Sequence, residues 1–531
     1  MMQGAKGFIG VSIRERITTV KQLTGGAQSV AFGTVFIFGF TLVSKGLGFI
    51  REMVLAAQFG TSWRMDAVII AMEPAESLSG IIAGTLSTMM IPLYLEVKSG
   101  NDVEQTKRYA SQVLKLAAGL LFLFSALLFF FPDLLIKVFA PNYSGEILEY
   151  AARKLRVLSV LPLIHGFGSI FTAVLRAERR FVQMASFQLI FNIIAIPMLF
   201  FLAPLWSEAA YVFTWVTGHF IMIALMGLYA FRYFDKKEII LTKRFSTLSK
   251  QTVKLAIPLI IGSSSGLINN IIDKIFASFL PAGRVSALRY SHVLLAMINS
   301  VIVGSFLTTT YTEIGEAASR KDYEAIERRM RKTNDDLMRI VIPLTFWVVL
   351  MAEPLIRLLF QRGAFDTSST ELVSVSLIGY SVIIILSPIG GLISNALISL
   401  KDIKFINWLA FVTIALNAFF DWILLKPFGH VGIAFSTTAV SIVCVIFYYW
   451  WLKARYRISF LNVKQLLTIS SANLILILSL LVLKLTVSEW IFIIVGNASF
   501  LVLCLYLNRR LIRQVFYRYR SRAGKPYTIN G

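Results

Sequence analysis

Charge is scarce in this chain: only 15% of its 531 residues are Asp, Glu, Lys or Arg, whereas 56% are apolar. With a mean hydropathy of +0.72, this composition excludes a soluble globular protein and indicates a polytopic membrane protein. Acid is scarcer still, 29 residues against 52 Lys and Arg, which leaves a net charge of +23. Such an excess can serve nucleic acid, but here the basic residues alternate with apolar runs. The positive-inside bias of membrane proteins accounts for that pattern without a nucleic-acid partner. Of the two cysteines, Cys444 and Cys504, both lie inside apolar runs, so neither a disulfide framework nor a metal-binding cysteine spacing is available. No Walker-type phosphate loop occurs, which removes ATP as the driving force. No nucleophile stands with a base at helical spacing, and no outer loop is long enough for a glycosyltransferase or polymerase site, so the chain reads as a transporter and not an enzyme. Residues 1–29 are polar and show no signal-peptide cleavage pattern.

What is present is a succession of fourteen apolar runs of about 20 residues or more, from 30–49 to 489–507, each long enough to cross a hydrocarbon core of roughly 30 Å as a helix. The expected fold is all-α and polytopic. Basic residues gather in every second link: Lys6, Arg14, Arg16 and Lys21 before the first run, Arg176, Arg179 and Arg180 after the fourth, Lys243, Arg244 and Lys250 among those after the sixth. Arg320, Lys321, Arg328 and Arg329 follow the eighth. The intervening links are short and nearly uncharged, which places both termini in the cytoplasm. A basic tail from Arg509, interleaved with Phe516, Tyr517 and Tyr519, suits the anionic inner leaflet.

The first six runs repeat in the next six at an offset of roughly 220 residues. DLLIKVFAPNYSGEILEYA at 133 matches EPLIRLLFQRGAFDTSSTELV at 353, and FGTSWRMDA at 59 matches FLPAGRVSA at 279. Pro162 pairs with Pro388 and Asn192 with Asn417. Because six is even, both copies enter from the same side and the pseudo-twofold axis runs along the membrane normal, the plan of a transporter with its site between two lobes. The expected organisation is a cytoplasmic segment 1–29, an N-lobe 30–245, a C-lobe 246–458, two added helices within 459–508 and a tail 509–531.

Helical geometry at 100° per residue gathers Ser44, Lys45, Gly48, Arg51 and Glu52 on one arc of the first run, and Asp66, Glu73, Ser77, Gly80 and Gly84 on one face of the second, with Glu76 at its border. The seventh run does the same with Gly262, Gly266, Asn269, Asn270 and Asp273, Lys274 adjoining, and the eighth adds Arg289 and His292. Charges in lipid cost at least about 2.5–3.5 kcal/mol each, so these groups pair with one another or line a cavity. A mixed-charge cavity suits a large polar substrate with anionic groups: Arg51, Lys45, Lys274 and Arg289 can meet phosphate oxygens, with Glu52 and Asp66 holding the cations or binding sugar hydroxyls. A second constellation is oxygen-only. Asp273, Asn417 and Asp421 one turn apart, and Thr437 suit a hard cation. His165, His219 and His430 show no mutual spacing and read as packing residues. Pro74, Pro162 and Pro388 read as kinks.

FTLVSKGLGFIREMVLAAQFGTSWRMDA, IDKIFASFLPAGRVSALRY and LIRLLFQRGAFD resemble signature segments of the MurJ (MviN) family, lipid II flippases of the multidrug/oligosaccharidyl-lipid/polysaccharide (MOP) exporter superfamily. The resemblance implies fourteen helices in a bacterial plasma membrane. It implies two six-helix lobes, and two added helices whose groove takes a lipid tail. It also implies transfer of an undecaprenyl-diphosphate-linked cell-wall precursor from the inner to the outer leaflet, with membrane lipids and cell-wall synthases as partners. Arg51, Glu52 and Asp66 fall on the family's cavity positions. Two further family arginines are absent: one position falls at Ser79 or Gly80, the other at His292 and Val293. Either Lys45, Lys274 and Arg289 substitute, or the head group differs from lipid II. The family's sodium site implies Na+ as coupling ion at Asp273, Asn417, Asp421 and Thr437, with the Ile433 carbonyl as a further ligand. An exopolysaccharide or other lipid-linked oligosaccharide flippase and a cation-coupled small-molecule exporter remain as alternatives.

Overall fold

The computed structural model describes residues 30–241, 246 and 268–509, all of them helix or short links. The first half runs through α1 (Val30–Phe59), α2 (Trp63–Ser99), α3 (Val103–Phe130), α4 (Pro132–Phe139), α5 (Gly145–Leu158), α6 (Leu161–Ala177), α7 (Phe181–Trp206), α8 (Glu208–Ala230) and α9 (Lys236–Leu241), then α10 at 268–277. The second half holds α11 (Arg284–Ser319), α12 (Tyr323–Phe360), α13 (Thr367–Tyr380), α14 (Ile383–Ser399), α15 (Ile403–Phe428), α16 (His430–Tyr456), α17 (Val463–Lys484) and α18 (Glu489–Leu507). These elements form two compact units that divide between Phe279 and Leu280.

Among the described residues, 12 segments are long and apolar enough to cross a membrane. The other two expected crossings are the first and the seventh. The first is the 30-residue helix α1, with side chains described from Gly39 onward; of the seventh, 253–279, only 268–279 is described. The N-terminal cations, Lys243, Arg244 and Lys250, the stripe residues Gly262 and Gly266 and the tail beyond Arg509 lie outside the described residues. Outward faces are apolar, with Phe200, Phe201 and Leu205 on α7 and Ile446 and Trp450 on α16 exposed, as a lipid solvent requires and water would not tolerate.

The repeat is written into the links. Left-handed residues stand at four matched junctions, Gly60 and Gly283, Asn101 and Lys321, Arg179 and Lys401, Ser207 and Gly429, each pair roughly 220 residues apart. A left-handed residue cannot continue a right-handed helix, so each one ends a helix and turns the chain. The fourth and tenth runs are broken alike. α5 and α13 have 14 residues each, and α6 and α14 have 17. At the breaks Ser159 Oγ donates to Arg156 O at 2.6 Å and Ser381 Oγ to Ile378 O at 2.7 Å, local bonds that compete with the helical ladder. The two prolines paired in the sequence differ in role: Pro162 opens α6, where a missing N–H costs nothing, whereas Pro388 lies inside α14. Counted from the matched junctions, Asn192 corresponds to Ile414, so its pairing with Asn417 is off by almost one turn.

In the second unit α15 and α16 approach so closely that a Cβ on Gly432 would stand 2.2 Å from the Leu424 carbonyl oxygen. Backbone cannot yield there, and Gly432→Ala is expected to cost roughly 1–3 kcal/mol, visible as a lower melting temperature in detergent. Gly80→Ala is the control, because a Cβ at Gly80 meets nothing within 4 Å; its melting temperature should hold or rise. The added helices α17 and α18 seat against α12 through Met351, Leu480, Phe492 and Phe500. Trp347 Nε1 donates to Asn497 Oδ1 at 2.9 Å across that seam.

Candidate functional site

The first unit builds its polar centre where α1 packs along α7. Ser44, Gly48 and Arg51 lie about one turn apart on one face of α1, and Asn192 of α7 fits against them. The Asn192 amide donates to Ser44 O at 3.1 Å, and a Cβ on Gly48 would lie 3.9 Å from its oxygen. Arg51 Nη1 in turn donates to Asn192 Oδ1 at 3.1 Å, and Arg51 Nη2 meets Glu52 Oε1 at 2.8 Å. The guanidinium carbon sits 5.1 Å from the Phe191 ring centre and 4.7 Å from that of Trp215. Both charged side chains are withdrawn from solvent, Arg51 at 12% exposure and Glu52 at 4%. The arginine is thus held by an amide, a carboxylate and two rings, with two of its five N–H donors used and three left for a ligand.

Lys45, on the same predicted arc, is exposed and makes no hydrogen bond or ion pair among the described residues. Asp66 is buried in the first turn of α2, whose N-cap Ser62 accepts from Met65 N at 3.1 Å. An acid there complements the positive helix end. Its neighbour is Tyr143, whose phenol is pushed up by burial first and by the Asp66 charge second. Glu73 pairs with Lys274 of α10 at 3.1 Å, both side chains under one-fifth exposed. Ser79 is fully buried and bonds back to Ala75 O at 2.5 Å, whereas Gly80 is open. Of the two positions weighed for the absent arginine, only Gly80 could present a side chain outward.

In the second unit Arg289 is half-buried on α11, and His292 is exposed with its ring 6.0 Å from that of Tyr380. Asn417 and Asp421 lie on the one buried face of α15, with Phe405 and Leu409, and Asp421 is fully buried. On α16, Thr437 Oγ1 donates to Ile433 O at 3.0 Å, and Ser436 Oγ to Asn417 O at 3.4 Å. Four of the five expected cation ligands are therefore carried by the adjoining helices α15 and α16. Asp273, the fifth, is half-buried on α10 in the first unit. Among the described residues no group of three or more His, Cys, Asp or Glu could hold a metal ion, so a cation would rely on amide, hydroxyl and carbonyl oxygens beside one carboxylate, the ligand set of a hard cation.

The segment LLFQRGAFD proves to be a turn with its own core. Phe360, Phe365 and Tyr290 pack as three rings 5.7–5.9 Å apart, Gly363 takes a left-handed conformation, and Asp366 caps α13 through Ser369 N at 2.8 Å. The Ser369 amide and then its hydroxyl hold the Asp366 carboxyl below the usual carboxylate range. The segment therefore shapes the α12–α13 junction.

Asn192, Phe191 and Trp215 were invisible as site residues in the sequence. An amide and two aromatics in apolar runs look like packing, and only the α1–α7 and α7–α8 contacts bring them to Arg51. The histidines need correction as well: His165 and His219, without mutual spacing in the sequence, meet ring to ring at 4.7 Å. His430 is a packing residue as expected, its ring between Arg284 Nη1 at 3.3 Å and Leu372 O at 3.1 Å.

A family model described as lipid II flippase MurJ matches residues 55–504. A probable lipid II flippase MurJ of Buchnera aphidicola subsp. Acyrthosiphon pisum (strain APS) is 25% identical over 503 residues, covering 92% of this chain and 95% of the relative. One from Vibrio cholerae serotype O1 is 25% identical over 429 residues, 76% of this chain and 79% of its own. A solved lipid II flippase MurJ in an inward closed conformation superposes with a TM-score of 0.75 at 23% identity, over 90% of this chain and 100% of the other. An inward-facing MATE multidrug resistance transporter of the MOP superfamily reaches 0.66 at 15% identity, over 78% and 94%. The family match runs from the end of α1 into α18, and the chain belongs to the MurJ family of lipid II flippases.

Proposed function

We propose that this protein carries an undecaprenyl-diphosphate-linked cell-wall precursor, lipid II or a close relative, from the inner to the outer leaflet by alternating access. The observation that carries the proposal is Arg51: a guanidinium braced on three sides with three donors to spare is a preformed diphosphate site. Lys45, exposed one and a half turns away, adds a second cation, and Asp66 and Glu52 balance the charge. Lys274 is already met by Glu73, so it reaches a phosphate only by exchanging that partner. Arg289 and His292 are the corresponding candidates of the second unit. A groove of about 420 Å³ lined by Ile302, Pro343, Leu344, Trp347, Phe500 and Leu501 suits the lipid tail, its apolar walls belonging to α11, α12 and α18.

Orientation follows the basic links. In the first unit Lys98 meets Glu178 at 2.7 Å and Arg180 Nε donates to Tyr233 OH at 3.0 Å, and in the second Arg331 Nη2 donates to Ser459 O at 2.6 Å. The basic links of each unit thus gather at one end, which the positive-inside bias assigns to the cytoplasm along with both termini. Synthases that consume the precursor are the expected partners in this bacterial plasma membrane.

The absent arginines favour one second reading, a flippase for a different lipid-linked oligosaccharide. Gly80→Arg distinguishes the two. A Cβ at Gly80 meets nothing within 4 Å, so a lipid II carrier should transport fluorescent lipid II in liposomes at least as fast as wild type, scored by an impermeant quencher. A carrier built for another head group should show no lipid II transport with either residue.

We also propose sodium as the coupling ion, bound within the second unit through Asp421, Asn417, Thr437 and the Ile433 carbonyl.

A further inference from the structure

The proposed function leaves two ionisable groups inside the first unit unused. His165 of α6 and His219 of α8 stand with ring centroids 4.7 Å apart, near edge to face. His219 also lies against Phe191 at 3.9 Å and Trp215 at 5.1 Å, the two rings on which the Arg51 guanidinium rests. One aromatic layer therefore separates the imidazoles from the arginine. His219 Nδ1 lies 2.9 Å from Trp215 O; a carbonyl oxygen only accepts, so Nδ1 carries the hydrogen and Nε2 of the neutral ring is left as a base. His165 Nε2 is buried and has no hydrogen-bond partner among the described residues.

A buried polar nitrogen without a partner is costly to keep, and intramembrane ionisable residues concentrate at functional sites. The ionisable groups around the pair are few. α1 brings Arg51 and Glu52, and α2 brings Asp66, Glu73 and Glu76, with Glu73 already paired to Lys274. α7 has none, and α3, which meets α6 at Leu121, has none in the stretch that follows Lys115. α5 brings Tyr150 and Lys154 to Glu208 at the start of α8. Nearest the imidazoles, then, is the Arg51–Glu52 ion pair.

A diphosphate esterified at both ends carries two negative charges across the neutral range. Its arrival at Arg51 leaves the layer net negative, and the nearest groups able to take up a proton in response are these two imidazoles. Phe191 and Trp215 stand between the imidazoles and the arginine, and a charge set among apolar rings is weakly screened. We propose that His165 and His219 form one proton-binding site that fills when an anionic lipid-linked diphosphate occupies Arg51. The proposal rests on the Arg51 assignment above. By reciprocity, a proton on the pair strengthens anion binding as much as the anion strengthens proton binding.

The test is binding of an undecaprenyl-diphosphate-linked sugar to the full-length protein in nanodiscs, by calorimetry in two buffers of different ionisation enthalpy. Wild type should bind at least about fivefold tighter near pH 5.5 than near pH 8 and take up a proton on binding. His165→Gln/His219→Gln should lose the pH dependence and the uptake. The ligand itself does not titrate in this range, so its ionisation cannot imitate the result. No proton uptake by wild type overturns the proposal without recourse to any variant, and so does an unchanged pH dependence in the double variant. Arg51→Lys serves the other question: full affinity in that protein defeats the Arg51 assignment, while the proton count still decides the role of the histidines.

Discussion

Arg51→Lys should fold and insert like wild type yet lose about ten- to hundredfold in flipping rate, the worth of one charge-assisted hydrogen bond at about 1.5–3 kcal/mol. Lysine keeps the positive charge beside Glu52 but forfeits the planar fork that reaches Asn192 and Glu52 while lying on Phe191 and Trp215. Truncation to alanine is a poorer probe. It takes the arginine from the Glu52 carboxylate, 4% exposed, and breaking such a pair costs roughly 3–5 kcal/mol, so a loss of transport would mix with a loss of fold. Arg51→Gln/Glu52→Gln removes both charges together. It should restore stability relative to the alanine variant and remain inactive, since the braced guanidinium that meets the diphosphate is then gone. Thermal melting and the liposome assay, run on the same preparations, separate these outcomes.

Asp421→Asn should abolish sodium dependence and leave lipid-linked substrate binding within about twofold of wild type, because it leaves Arg51 and its partners Asn192 and Glu52 untouched. The carboxylate is fully buried on α15, and the change to an amide keeps its size while removing the charge that a cation needs. The readout need not be transport. Wild type should melt at higher temperature in sodium chloride than in choline chloride, following mass action for a ligand that binds only the folded state, and the variant should melt alike in both. A sodium shift that survives Asp421→Asn would place the ion elsewhere.

The two sites share a place in the repeat. Trp215 and Thr437 stand equally far along α8 and α16 from the matched junction residues Ser207 and Gly429. One copy puts an aromatic there and cradles an arginine. The other puts a hydroxyl there, on the helix that packs against the one carrying the buried Asp421. A duplicated scaffold thus carries a candidate anion site in one copy and a candidate cation site in the other.

Periodicity reveals what is conspicuous against hydrocarbon. Arg51, Glu52 and Asp66 stand out because a charge inside an apolar run has few explanations, and the α1 face that carries Ser44, Gly48 and Arg51 is the one that meets Asn192 of α7. The repeat was legible from paired segments, and the matched left-handed junctions confirm it. The partners of Arg51 were not legible, because Asn192 and Trp215 sit more than 100 residues away in runs where an amide or an indole is ordinary packing. His165 and His219 are joined only by the packing of α6 on α8. The helix breaks at Ser159 and Ser381 escaped for a different reason: each depends on one hydroxyl bonding three residues back, which leaves hydropathy unchanged.

Conditional replacement of a bacterium's essential lipid II flippase by this protein tests the central claim most directly. Growth with normal cell shape in the wild-type replacement, and lysis in the Arg51→Lys replacement at equal membrane abundance, is the predicted result. Lysis with the wild-type protein correctly inserted would contradict the assignment of lipid II as its cargo.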